Sequence, residues 1–478
     1  MAICTCDVKQ VGKSSVVRPL YYKVAEARVT VTDWGATGYG SATDAPKLQA
    51  AIDEASPGVT LHWPAAGDFT LPPAGLSLAR PQAWALDEGA VLRQPVGETA
   101  VRIGVPLSPS IASERQETRG LRLRGGAIVS AGTAVAVNAA PGQRTMLGFR
   151  IEDALLGGGT AALRFGSEAG RDTMLFAGVE GCTLDGGVQM RNVSDGMRFV
   201  ANLCVGDRPA FTLDAREGAM NHLFEGGYAT NRDGALHVVN GSMWSLHNVQ
   251  IEYGKQNPVR GDPDSVSVRV EGAAYPSVGG QITRCHLGGG SNVRHSIAIG
   301  NAIGTVIDGC YFYPPAGADV SAGAVCRDLT IGTRNQFRGA RSRAPIGTVT
   351  DATRLMRIDA DAVLPGARGV WQPATRVLRV GPGWNVAGLE VMLTESAMVV
   401  FNGAVTGGGE GRIATFPDWL RPAAPARIHI GCANGEVRAL ALGTNGVLSV
   451  LGDLPAGDLN FANATFAAVL NVPYDRGP

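Results

Sequence analysis

The apolar positions of this chain fall mostly two apart, in short runs broken by glycine. Examples are Ala235-Leu-His-Val-Val239, Ser265-Val-Ser-Val-Arg-Val270, Ser296-Ile-Ala-Ile299 and Thr305-Val-Ile-Asp308. A period of two sends alternate side chains to opposite faces of a strand. Between such runs a unit of one apolar residue, one variable residue and glycine keeps returning: Leu123-Arg124-Gly125-Gly126, Leu184-Asp185-Gly186-Gly187, Phe224-Glu225-Gly226-Gly227 and Leu287-Gly288-Gly289-Gly290. Weaker copies are Ile251-Glu252-Tyr253-Gly254, Phe312-Tyr313 and Phe337-Arg338-Gly339. Their spacing suits one solenoid coil plus variable loops. A single coil cannot bury its apolar side chains, whereas stacked coils give every strand two neighbours and a continuous interior. The pattern therefore predicts an all-β chain in which residues 91–345 form a right-handed parallel β-helix.

A different period appears near the start. Leu48, Ala51, Ile52 and Ala55 fall at helical spacing, with Thr43 or Asp44 placed as the cap and Pro57-Gly58 as the stop. One short helix ahead of many strands predicts a plug for the open end of the solenoid, where apolar core would otherwise meet water. Val31-Thr32-Asp33-Trp34-Gly35-Ala36, Gly38-Tyr39-Gly40, Thr43-Asp44 and Leu48-Gln49-Ala50-Ala51-Ile52-Asp53-Glu54-Ala55 together resemble the opening segment of the pectate-lyase-like superfamily of β-helix proteins. That superfamily includes bacteriophage tailspikes and polysaccharide depolymerases. Trp34 stands where the family usually has Phe, and Tyr39 where it usually has Asp.

Residues 1–28 read as a head or attachment segment and 29–90 as the capping strand and helix leading into the β-helix. The pattern dissolves over 346–370, read as a linker, before the strand-like runs Glu390-Val-Met-Leu393, Met398-Val-Val-Phe401, Arg427-Ile-His-Ile430 and Val447-Leu-Ser-Val450. These predict a small C-terminal β-sandwich over 371–478. Leu420-Arg421-Pro422, Thr444-Asn445-Gly446-Val447-Leu448-Ser449-Val450 and Leu454-Pro455-Ala456-Gly457 resemble C-terminal modules of phage tail fibres, which implies trimerisation or receptor binding.

Composition narrows the picture. The chain has 65 glycines in 478 residues and 18% charged residues, a balance that suits short strands and tight corners. Collagen is excluded because the glycines keep no three-residue period, and disorder because 45% of residues are apolar. Lys+Arg and Asp+Glu both number 42, so nothing recommends nucleic acid or an anionic membrane as partner. Met1-Ala2-Ile3-Cys4-Thr5-Cys6-Asp7 lacks a basic segment followed by an apolar run, so no secretory signal and no membrane insertion are expected. Cys182, Cys204, Cys285, Cys310 and Cys326 sit among strand residues and read as free thiols in a core. Cys4 and Cys6 lack the partners a zinc site needs, and His222, His247 and His286 lack metal-ligand spacing. No metal and no cofactor is expected.

Aligning the repeated units places Glu152, Asp185, Glu225 and Glu252 at one corner of their coils, in a single column. Strands lie about 4.8 Å apart, so carboxylates one coil apart suit a retaining glycosidase and two coils apart an inverting one. Glu225 and Glu252 are the preferred pair, with Asp185 and Asp233 as further catalytic candidates. Trp244, Tyr228, Tyr253, Arg232 and Asp264 are candidates for binding substrate, since aromatic faces pack on sugar rings and loops carry polar contacts. The same acids also fit plain solvated corners, and Trp244 and Tyr253 also fit core packing.

The resemblance implies a homotrimeric phage tailspike on the virion, joined through its N-terminal segment to a tail or baseplate protein. It would bind a bacterial surface polysaccharide, whether capsule, exopolysaccharide or O-antigen, and hydrolyse it. The alternatives are a glycan-binding tail fibre or adhesin without catalysis, and a polysaccharide lyase. Asp262, Asp264 and Arg260 offer a loose imitation of a lyase's acids and base, while the Asn-Thr-Asp and Asp-Asp strings of polygalacturonases do not occur.

Overall fold

The computed structural model describes residues 7–9, 17–19, 28–337 and 371–467. Excepted are positions 42–43, 57, 66, 108–116, 141, 167–173, 194, 253–265, 289–292, 294, 314–318, 323–325, 333, 395–396, 409–410, 433–434, 453–457 and 462–463. The fold is all-β: a parallel β-solenoid of about nine turns and a C-terminal antiparallel half-barrel sheet. The chain divides into two compact bodies, Met1–Ser277 with Cys285–Val293, and Val278–Arg284 with Arg294–Pro478.

In the first body three parallel sheets grow by one strand per coil. The first sheet runs from Thr60–Trp63 through Arg150–Glu152 and His222–Glu225 to Trp244–His247. The second runs from Asp68–Thr70 through Thr183–Asp185 and Tyr228–Ala229 to Gln250–Ile251 and His286–Leu287. The third runs from Leu76–Leu78 through Ala161–Phe165, Phe211–Ala215 and Leu236–Asn240 to Val266–Val270. Registered pairing stacks the inward residues of the first sheet, among them Trp84, Leu123, Ile151, Val179, Phe199, Phe224 and Leu246. Each is at most 2% exposed, and burial of such side chains contributes roughly 1.5–3 kcal/mol apiece. The rings of Phe199 and Phe224 stack at 5.4 Å.

Between the first and second sheets the chain turns within two residues, the first of them at positive φ: Gly125, Asp153, Gly181, Ala201, Gly226 and Asn248 on successive coils, with Gly126 and Gly227 at positive φ as well. Gly227 shows why glycine follows in one coil, since a Cβ there would stand 2.2 Å from the Asn202 carbonyl oxygen. Asn202 itself points inward, accepting from the Cys182 amide at 3.0 Å and donating to the Val179 carbonyl at 3.0 Å. The cysteines described, Cys182, Cys204, Cys285, Cys310, Cys326 and Cys432, are free and buried, and burial pushes the Cys182 thiol up to about 11.

The cap is built as the helical spacing predicts. Val29–Thr30 pairs with the first sheet, a 3-10 turn spans Val31–Trp34, and the helix Ala45–Glu54 buries Leu48, Ala51 and Ile52. Asp44 holds the N-cap position but spends its carboxylate elsewhere, accepting from Thr37 N, Thr37 Oγ1 and Gly38 N at 2.8–3.0 Å. Burial alone would raise its carboxyl, but these bonds and Lys47 outweigh burial and hold it below the usual range. Asp44 therefore ties the glycine loop to the helix.

His222 is the inward residue of the first sheet beside Trp244 in register; it is 1% exposed, and neither ring nitrogen meets a hydrogen-bond partner. Burial pushes its pKa down to about 4, against the pull of Asp195. The unfolded chain therefore binds this proton first. Stability is intact above about pH 6.5, the ordinary histidine value, and is lost as pH falls toward 4, by about 3 kcal/mol when complete. Urea midpoints at pH 7.5 and pH 4.5 should show a fall that shrinks in His222→Phe, and an equal fall in both proteins would refute the assignment.

In the second body Gln281–Thr283, Val306–Asp308 and Thr330–Ile331 pair in parallel, as do His295–Ile299 with Val320–Ala322 and Tyr311–Phe312 with Gln336–Phe337. The antiparallel domain expected at the C-terminus is present, its strands joined in one curling sheet instead of two separate layers. Leu389–Leu393, Met398–Gly407, Ala426–Cys432 and Val437–Leu442 enclose Val399, Phe401, Phe416, Leu440 and Phe461.

Candidate functional site

The pairing separates the four aligned acids into two columns. Arg124, Glu152, Glu180, Val200, Glu225 and His247 follow one another on the outer face of the first sheet. Asp185 belongs to the second sheet, between Gly157 and Val205, and Glu252 directly follows that sheet's Gln250–Ile251 strand. Glu225 and Glu252 thus sit on different sheets, and the expected single column is corrected. The repeated apolar-variable-glycine unit marks two different corners. Phe224-Glu225-Gly226-Gly227 closes a first-sheet strand, whereas Leu184-Asp185-Gly186-Gly187 closes a second-sheet strand.

Trp244 is also corrected. It is fully buried, with Nε1 donating to Ser277 Oγ at 2.9 Å, so its ring has no face for a sugar. Arg232 and Asp233 are exposed in the turn between Tyr228–Ala229 and Leu236–Asn240, at the far end of the Tyr228 strand from Glu225. Tyr253 and Asp264 lie outside the described residues.

Two predicted residues do meet. Tyr228 donates its hydroxyl to Glu252 Oε2 at 2.6 Å, and Gln250 Nε2 donates to Glu252 Oε1 at 3.0 Å. Hydrogen bonding to Glu252, with burial and its charge, pushes the Tyr228 phenol up to about 12. His286 follows Gln250 in register, so a carboxylate, a phenol, an amide and an imidazole share one outward patch.

The third sheet carries a second arrangement that the alternation of its strands displays directly. In Phe211–Ala215, Leu236–Asn240 and Val266–Val270 the partly exposed positions are Thr212 and Asp214, His237 and Val239, and Arg269. Thr212, His237 and Arg269 are register partners. Glu271 follows the last strand, its amide bonded to the Val238 carbonyl at 2.8 Å. His237 Nε2 lies 3.0 Å from Glu271 Oε1 without the alignment of a hydrogen bond, and Arg269 Nη1 lies 3.9 Å from the same oxygen.

Asp214 is held from the other side. Asn240 Nδ2 donates to its Oδ1 at 2.7 Å, and Asn240 Oδ1 accepts from the Ala274 amide at 2.7 Å. Tyr275 donates to the Ala215 carbonyl at 2.6 Å. Burial pushes its phenol up to about 12, with the charges of Asp214 and Glu217 adding to the shift. The segment after Val270 is therefore laced over this face. Asp214 and Glu271 stand two coils apart, roughly 10 Å between backbones at ~4.8 Å per coil. Two coils is the spacing expected of an inverting pair, whose carboxyls stand ~6.5–9.5 Å apart with a water between them.

Sequence reasoning recorded the strands containing His237 and Arg269 as scaffold and did not read their outward positions, the signal that finds this face. It treated His247 and His286 as corner or core residues; both are half-exposed, and His222 alone of the three is core. Among the described residues no group of three or more His, Cys, Asp or Glu is placed to hold a metal, and no helix is long and apolar enough to cross a membrane.

The fold defines the class as a parallel β-solenoid, and the solved structures it is similar to include tailspike proteins and an epimerase module. One is the ORF18 protein of Geobacillus virus E2, at 13% identity over 94% of this chain and 81% of that one, with a TM-score of 0.46. Another is the Dettilon tailspike protein, at 11% over 93% and 94%, with a TM-score of 0.47. A third is the A-module of the mannuronan C-5 epimerase of Azotobacter vinelandii, at 15% over 65% and 94%, with a TM-score of 0.34. No protein-family model and no curated protein matches the chain.

Proposed function

We propose that this chain is a phage tail-associated protein that binds a bacterial surface polysaccharide and hydrolyses it on the outer face of the third sheet. The observation that carries this reading is the Asp214 and Glu271 pair, two coils apart on either side of the His237 coil and tied by Asn240, Arg269 and His237. One carboxyl protonates the glycosidic oxygen while the other takes a proton from the attacking water. Binding and orientation fall to the polar side chains of the same face. The resemblance of the opening segment supports a tailspike, as a homotrimer attached through residues 1–28; a monomer mass by light scattering would reject the trimer.

The test is incubation with a panel of capsular and exopolysaccharides, following polymer size and reducing ends. Shortening with new reducing ends is expected. Unchanged size with tight binding would mean an adhesin, and products with a new ultraviolet-absorbing double bond would mean a lyase. A second reading has its own observation, the Tyr228 to Glu252 bond, and sets the reaction at the first corner with Glu225. Tyr228→Phe, Glu252→Gln and Glu225→Gln separate the two: loss of turnover there, with Asp214→Asn active, moves the site to that corner.

A further inference from the structure

The two carboxyls of the third-sheet face have unequal partners. Asp214 Oδ1 accepts from Asn240 Nδ2 at 2.7 Å, and Asn240 Oδ1 accepts from the Ala274 amide at 2.7 Å. A main-chain N–H can only donate, so the amide oxygen of Asn240 must face Ala274 and its nitrogen must face Asp214. Turning the amide over would set donor against donor. Asn240 is 9% exposed, and the register shift between Leu213 and Asp214 is what sets it opposite Asp214. The segment that carries Ala274 is itself pinned. Ala273 N donates to the Val239 carbonyl at 2.9 Å, the Tyr275 hydroxyl to the Ala215 carbonyl at 2.6 Å, and Ser277 Oγ to the Gly241 carbonyl at 2.7 Å. Asp214 therefore meets a donor that has no freedom to become an acceptor.

Glu271 is held differently: His237 Nε2 at 3.0 Å is out of line, and Arg269 Nη1 at 3.9 Å is beyond hydrogen-bond reach. A polymer lying on this face strips water from both carboxyls and raises the proton affinity of each. A fixed N–H donor opposes that rise at Asp214, because it favours the ionised form. We infer that Asn240 is the positioning residue that makes Asp214 the base of the pair and leaves Glu271 the acid. This rests on the third-sheet pair being the hydrolytic one. In the step it serves, Asp214 takes a proton from water, whose oxygen bonds to the anomeric carbon as the glycosidic C–O bond breaks. The leaving oxygen keeps the bond's electron pair and takes the proton of Glu271. The other charged and titratable neighbours are Arg191, the register partner of Asp214, then Tyr275 and Glu217 on the Asp214 side, and His237 and Arg269 beside Glu271.

The experiment is the pH profile of kcat and kcat/KM for the full-length protein, Asn240→Ala and Asn240→Asp, on the polysaccharide of the panel that the parent shortens. Asn240→Asp keeps an oxygen for the Ala274 amide and removes only the donor to Asp214, whereas Asn240→Ala removes both. The acidic limb, which reports the base, should move up by about one pH unit in Asn240→Ala, the scale of one charge-assisted bond. It should move at least as far in Asn240→Asp, where two carboxyls share a proton. The alkaline limb, which reports the acid, should stay in place. KM should hold, and most of the lost kcat should return at pH values above the shifted limb. Tyr275→Phe loosens the same segment without touching the donor and should leave both limbs where they are. An acidic limb that stays put in both Asn240 variants, or an alkaline limb that moves in its place, would overturn the inference, the second by making Asp214 the acid. An equal loss of kcat at every pH with a lowered unfolding midpoint would reduce Asn240 to a structural tie and overturn it too. Asp214→Asn and Glu271→Gln, assayed alongside, keep two failures apart. If both cut like the parent, or if no polymer is cut, the pair is not the site and both readings fall; if both are inactive while neither limb moves in the Asn240 variants, only the role of Asn240 falls.

Discussion

Asp214→Asn and Glu271→Gln should each lower polysaccharide turnover by about 10²–10⁴-fold, the usual contribution of a positioned acid or base. Both substitutions keep the shape of the side chain. An asparagine at 214 can still accept from Asn240 Nδ2, and a glutamine at 271 can still present an oxygen to Arg269. What they remove is the exchangeable proton. Binding of the uncut polymer and the unfolding midpoint should therefore change little, and the loss should appear in kcat. The double variant should be no worse than the poorer single one, because an acid and a base that act in one step fail as a unit. Glu225→Gln and Glu252→Gln should stay active. Full turnover in Asp214→Asn would remove this face from the chemistry.

Trp244→Ala should destabilise the first body by about 3–5 kcal/mol, the range for truncating a large aromatic residue in a packed core. The ring is fully buried in register with His222, and its indole N–H is the donor to Ser277 Oγ. Removing it leaves a cavity inside the stack and takes one partner from that hydroxyl, which still donates to the Gly241 carbonyl at 2.7 Å. Trp244→Phe should retain much of the stability. The discriminating comparison is the urea midpoint against polysaccharide affinity. A core tryptophan lowers the midpoint in Trp244→Ala while affinity of the remaining folded protein holds, whereas a sugar platform would lose affinity at an unchanged midpoint.

Much of this was legible in the chain because period-two alternation and glycine corners are local. Leu48, Ala51 and Ile52 announced the capping helix, and the alternating runs at 235–239 and 265–270 announced stacked strands. The active-site register was not legible, for a reason that can be located. The apolar-variable-glycine signature occurs at two different corners of the coil, so the interval from Glu225 to Glu252 crosses from one sheet to the next. The interval from Ile251 to Leu287 is a true coil. Trp244 misled for a similar reason, since its exposure depends on which phase of the alternation faces inward.

The sequence by itself determined the class of fold, the helix at its start, the antiparallel strands at its end and the free buried thiols, because each follows from side-chain periodicity, turn chemistry or thiol spacing along a few residues. Tertiary structure alone decided which carboxylates are neighbours. Asp214, His237 and Glu271 are far apart along the chain and meet through coil stacking, and a register shift beside Asp214 sets it against Asn240 instead of the residue that strict alternation would supply. A one-residue slip reverses the face of every side chain beyond it, and its position depends on the neighbouring coil.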